Sequence, residues 1–324
     1  MSIMTPWQGA GTALAPGLTA EQAMQAAGLD WEVETADIWT KDQKKTDIER
    51  YRVTRRMTDN CILGIVPKGY KVIQNRQAFG LFDRVIQQGR MADFSGAGEF
   101  NNGSKVFIVS KLPGVMEIGK GIGPVDEVER YLLLANPHDG TACQMVFTPV
   151  RVVCQNTLAL ALTEQARDND KVTRFAPSAV IRHSGDVNKQ MKVAEKVMGS
   201  ALRYYEKFGD FAGCLYSKQL GGSQVVEIID TVFPANKFKE VTPKIKAARD
   251  SVEQLFVEGY GHERIAGSAW ALLNAFAQFA DHGVALKRDA DGTLDGAART
   301  KSIVMGGAKA IKNKATRVIQ EAVL

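Results

Sequence analysis

Tyr131-Leu132-Leu133-Leu134-Ala135-Asn136-Pro137-His138-Asp139-Gly140-Thr141-Ala142-Cys143-Gln144-Met145-Val146-Phe147 decides how the first half of this chain is read. Tyr131 to Ala135 and Ala142 to Phe147 are apolar runs flanking Asn136 to Gly140, a stretch rich in turn formers. Runs of that length around a tight turn predict an antiparallel hairpin. Working upstream, Arg50 to Thr54 alternates polar with apolar, Cys61 to Val66 is an apolar run before Pro67, and Lys105 to Ser110 has the composition of a buried strand. Asn75 to Gln88 places Ala78, Phe79, Leu81, Phe82, Val85 and Ile86 at helical spacing and ends at Gly89. Leu18 to Gly28 is a short helix opened by Thr19, with Gln22 completing a capping box.

Downstream of Pro149 the periodicity changes. Arg151 to Arg167 is expected to be helical, with its arginine in the first turn after a strand ending at Pro149, and Asp168 to Pro177 is a connection. Asp186 to Lys207, Thr242 to Val257 and Arg264 to His282 are expected amphipathic helices, the second opening on Thr242-Pro243. Asp289 to Gly296 is a surface turn, and Ile303 to Val323 is a basic helix interrupted early by Gly306-Gly307. The resulting fold class is α+β, with an antiparallel sheet and backing helices in the N-terminal half and a mainly helical C-terminal half. The divisions are 1–30, a tail and short helix; 31–177, mixed α+β; and 178–324, mainly helical and packed on the first as one compact unit.

The 324 residues are 45% hydrophobic and 24% charged, enough for a real core. No apolar run of about 18 residues and no secretory start is present, so a cytoplasmic protein with no membrane partner is expected. Cys61, Cys143, Cys154 and Cys214 are scattered without a C-x-x-C pair and are expected to be buried, reduced thiols, with no metal site and no cofactor. Net charge is +5, and the basic residues cluster in Lys41 to Arg56 and in Lys301, Lys309, Lys312, Lys314 and Arg317. Solvated surface is the ordinary reading of such runs.

Recognisable catalytic patterns are absent. Gly119-Lys120-Gly121-Ile122-Gly123 and Gly96-Ala97-Gly98 lack the helix that a phosphate loop or dinucleotide fingerprint needs, and both are expected to be hairpin loops. Asp289-Ala290-Asp291-Gly292 puts its glycine too early for a calcium loop. Of the histidines, His138 stands beside Asp139 in the expected turn and His282 follows Asp281, but sequence neighbours are not a dyad. If the protein is an enzyme, His138, Asp139, Arg151 and Asn156 are the residues that would carry the chemistry.

Thr148-Pro149-Val150-Arg151-Val152-Val153-Cys154-Gln155-Asn156-Thr157 is unusual because a cation near a helix start opposes the dipole unless an anion accompanies it. An anion site at Arg151 with Asn156 beside it stands against a structural reading, in which both bond protein groups. In a strand across Arg50 to Arg56, Arg50, Arg52 and Arg56 share one face and Tyr51 the other. Lys71, Arg76 and Arg151 would extend that stripe.

The Pro149 to Asn156 run, with Asn136-Pro137-His138-Asp139-Gly140-Thr141 before it, resembles the uncharacterised phage/plasmid-like protein family, a domain of unknown function. Gly69-Tyr70-Lys71-Val72-Ile73-Gln74-Asn75, Ala78-Phe79, Gly267 to Ala275, Asp281-His282 and Gly306 to Lys309 add to the resemblance. It implies mobile-element biology rather than a reaction. At the level of topology, the order of strands, hairpin and helix is also similar to phage single-strand annealing proteins. The resulting expectation is a single-stranded DNA-binding protein, in its narrower form a single-strand annealing recombination protein, and a homo-oligomer, using Arg50, Arg52, Arg56, Lys71, Arg76, Arg151 and Asn156. The alternatives are a nucleic-acid- or nucleotide-processing enzyme at the His138/Arg151 corner and a mobile-element interaction or counter-defence protein.

Overall fold

The computed structural model describes residues 11–41, 47–88, 93–151, 153, 179–198, 201–282, 302 and 306–324. Its centre is the expected hairpin, made by β7 (Asp126–Pro137) and β8 (Cys143–Arg151). Around it, β1 (Thr12–Ala13), β5 (Phe94–Phe100), β6 (Lys105–Ile118) and β9 (Ala179–Ile181) complete a sheet in the order β1-β5-β6-β7-β8-β9, with every pair antiparallel. A second sheet has the order β2-β3-β4, from β2 (Val33–Trp39), β3 (Asp47–Arg56) and β4 (Ile62–Pro67). The chain is therefore α+β, with antiparallel sheets in the N-terminal half and helices in the C-terminal half.

Alternation along β7 sends Val128, Leu132 and Leu134 to the helix-covered face of the large sheet, while Tyr131, Leu133 and Ala135 belong to a separate apolar cluster with Phe107 and Val109. α1 (Ala20–Ala26) starts from Thr19, whose Oγ1 accepts from the Gln22 backbone N–H while Gln22 Oε1 accepts from the Thr19 N–H, as its sequence demands. α2 (Asn75–Gln88) has the expected bounds and buries Phe79, Leu81 and Phe82. The helical half comprises α3 (Val187–Met198), α4 (Ala201–Ser217), α5 (Gly222–Val232), α6 (Pro243–Glu258), α7 (Ala269–His282) and α8 (Gly307–Val323). One apolar cluster runs from Leu14 and Met24 through the helix-facing row of the large sheet to Trp270 and Ile319, so the two halves share a core.

Several expectations need correction. The pattern Asp186 to Lys207 belongs to two helices, α3 and α4, and α7 begins at Ala269 rather than Arg264 because a 3-10 turn occupies His262–Arg264. Gly96-Ala97-Gly98 lies inside β5, not in a loop; a Cβ on Gly11 would come within 2.4 Å of the Ala97 carbonyl oxygen, so this edge depends on small residues for close approach. Gly119 to Gly123 does form the loop of the β6–β7 hairpin, against Tyr216. β8 continues past Pro149 to Arg151, which is therefore a strand residue. The helix expected at Arg151 to Arg167, the connection at Asp168 to Pro177 and the turn at Asp289 to Gly296 otherwise lie outside the described residues.

Candidate functional site

β3 pairs with both neighbours, and its register defines two faces: Tyr51 opposes Pro67, Val53 opposes Ile65 and Ala36, and Arg55 opposes Ile62 and Glu34. On this outer face Tyr51, Ile62 and Ile65 are 44%, 56% and 66% exposed, and Arg55 pairs with Glu34 at 2.5 Å. The other face carries the arginine stripe, interrupted by Thr54, which is fully buried. Thr54 Oγ1 donates to the His138 carbonyl oxygen at 2.5 Å, so this face docks on the β7–β8 turn.

Strand register within the small sheet, and Glu99 of the large one, give the stripe protein partners. Arg52 Nε lies 3.0 Å from Asp37 Oδ1. Arg56 binds both carboxylate oxygens of Asp59, reaches Glu99 at 3.5 Å and lies over the Trp31 ring at 5.3 Å. Away from this sheet, Arg76 pairs with Glu21 at 3.0 Å and Lys71 Nζ donates to the Gly185 carbonyl oxygen at 2.6 Å. Arg50 has no acidic partner among the described residues. The Lys68 N–H donates to its carbonyl oxygen, which sets two exposed cations across from one another at the open end of the hairpin. Lys68 was not among the sequence-chosen residues, because only strand register brings it there.

The corner holding His138 is a buried polar cluster. The Asn75 amide donates to Leu29 O at 3.1 Å, and its Oδ1 accepts from Asn136 at 3.3 Å and from His138 Nε2 at 3.1 Å. That arrangement assigns the proton to Nε2 and leaves Nδ1 a bare acceptor with no partner among the described residues. Burial, reinforced by the His183 charge, pushes the His138 pKa down to about 3, and burial lowers that of His183 as well. Tyr70 stacks on His183 with ring centres 4.4 Å apart and donates to Pro137 O, while Gln74 exchanges two hydrogen bonds with the Val33 backbone. Asp139 is ion-paired to Lys105 and accepts from the Thr141 hydroxyl at 2.6 Å. His138 and Asp139 thus have separate partners, and His138 is fully buried. The side chain of Arg151 and the whole of Asn156 lie outside what is described, so neither is placed against this corner.

In the helical half, Trp270 Nε1 donates to Asp126 Oδ2 at 2.7 Å, and Lys312 Nζ meets Asp281 Oδ1 at 2.6 Å. Lys314 donates to the Val232 carbonyl oxygen at 2.8 Å. The C-terminal basic run, read as a solvated face, therefore turns part of its charge inward; Lys301 is outside the described residues. The thiols also differ from expectation: Cys143 is buried and its pKa is pushed up to about 12 by desolvation, but Cys61 is half-buried and Cys214 exposed; Cys154 is not described. Among the described residues no cluster of three or more metal-ligating side chains occurs, and no helix is long and apolar enough to cross a membrane.

The fold and this geometry define an α+β protein whose short sheet docks through Thr54 and Gly64 on the turn of a larger one, beside a buried His/Asn cluster. The chain belongs to the family described as "Domain of unknown function (DUF932)", whose model matches residues 62–306. Neither the curated proteins nor the solved structures contain a match to this chain. Tyr70, Gln74, Asn75, Asn136 and His138, from the motifs that carried the resemblance, meet in the buried corner, and Trp270 and Asp281 anchor the helical half. These parts of the motifs hold tertiary contacts.

Proposed function

We propose that the protein binds single-stranded DNA along the β3–β4 hairpin, as a phage- or plasmid-type annealing protein acting as a homo-oligomer. The observation that carries this reading is the outer face of the three-stranded sheet, where Tyr51, Ile62 and Ile65 stay exposed, at a hairpin whose open end bears Arg50 and Lys68 on the opposite face. Bases stack on aromatic and apolar surfaces regardless of sequence, and a cationic edge follows the phosphates. Like charges directly across a strand pair repel, so Arg50 facing Lys68 is a placement that an anion relieves. The similarity in strand order to annealing proteins is an analogy of topology and supports only the oligomeric, strand-pairing part of the reading.

The test is binding of labelled single-stranded and duplex DNA across a salt series, followed by annealing of complementary strands and sizing of the complex. Preference for the single strand, a steep salt dependence and a large assembly are expected. No binding at low salt overturns the reading.

A further inference from the structure

We propose that Arg130 is the centre of an oxyanion site on the helix-facing side of the large sheet, taking a phosphate group. The alternation of β7 puts Arg130 in the same row as Asp126, Val128, Leu132 and Leu134, all of them buried. Arg130 is itself half-buried, yet it has no acidic partner among the described residues. Its guanidinium lies over the Tyr205 ring at 5.5 Å, and its Nε is buried without a hydrogen-bond partner there. A partly desolvated cation without a counter-charge is costly. The nearest carboxylate in sequence, Glu129, is on the opposite face, held by Lys111 at 2.5 Å and by the Tyr131 hydroxyl at 2.9 Å.

β6 bulges beside Arg130, because Leu112 pairs with Arg130 and Val115 with Glu129, leaving Pro113 and Gly114 unpaired. Gly114 has φ +79°, and a Cβ there would lie 3.8 Å from Arg130 Nη1. Across β8, Pro149 faces Arg130. A planar guanidinium fixed over a ring offers two parallel N–H groups to a tetrahedral oxyanion. The site lies on a different sheet from the proposed DNA surface and is tested without nucleic acid.

The experiment is calorimetric titration of the full chain with inorganic phosphate against chloride at equal ionic strength, using wild type, Arg130→Lys and Arg130→Gln. Saturable binding is expected for wild type, weakened about tenfold in the lysine variant, which keeps the charge and loses the fork, and lost in the glutamine variant. Circular dichroism checks that each variant folds; if Arg130→Gln does not, the lysine variant carries the comparison. No saturable binding by wild type overturns the proposal, as does equal affinity in a folded variant.

Discussion

Lys312 Nζ lies 2.6 Å from Asp281 Oδ1, with side-chain exposures of 2% and 0%, in a chain segment that reads as a basic surface helix. α8 thereby docks on α7 through a buried ion pair. Removing one partner takes from a buried charge the counter-ion 2.6 Å away, so Asp281→Asn or Lys312→Met should each cost about 3–5 kcal/mol in urea unfolding. The double variant Asp281→Leu with Lys312→Met should recover most of that loss; equal destabilisation by the double and single variants would show that the pair itself contributes stability.

Gly64 marks the contact between the two sheets. A Cβ there would come within 2.5 Å of Asp139 Cα and 3.1 Å of the His138 carbonyl oxygen, both backbone atoms that cannot swing aside. Gly64→Ala should cost about 2 kcal/mol by overpacking and speed amide exchange in β4. Unchanged stability would mean that the small sheet can lift off the turn at little cost.

Acid should weaken the folded state through His138. Its folded pKa of about 3 is below the ordinary value of 6.5, so between those limits the unfolded chain holds a proton that the folded chain lacks. Stability from this group is complete above about pH 6.5 and declines as pH falls toward 3, a loss of about 2 kcal/mol by pH 5. His183, also lowered by burial, acts in the same direction. Urea midpoints at pH 7.5 and 5 should differ less in His138→Gln than in wild type; an equal difference refutes the assignment.

Among the stripe arginines, partners should rank the effects on DNA binding. Arg50→Ala removes a cation with no acidic partner among the described residues and should lower the salt slope by about one, whereas Arg52→Ala removes one already paired with Asp37 and should change it less. Tyr51→Ala should weaken binding by about 1–3 kcal/mol if a base stacks there. Fluorescence titrations at several salt concentrations separate the two effects, and a larger slope change for Arg52→Ala would contradict the ranking.

What the sequence determined by itself is local. The Thr19 capping box, the Thr242-Pro243 helix start, the spacing of α2 and the turn formers between β7 and β8 each act within a few residues, so the elements they specify could be read directly. Tertiary structure decided the partners, which are far apart along the chain: Asp37 for Arg52, Asn75 for His138, Asp126 for Trp270, Asp281 for Lys312 and Tyr205 for Arg130. A charge pattern has the same appearance whether its groups end in water or against a carboxylate. Strand register and helix docking choose between those outcomes, and they left Arg50 and Arg130 without acidic partners among the described residues while giving Arg52, Arg56 and Lys312 theirs.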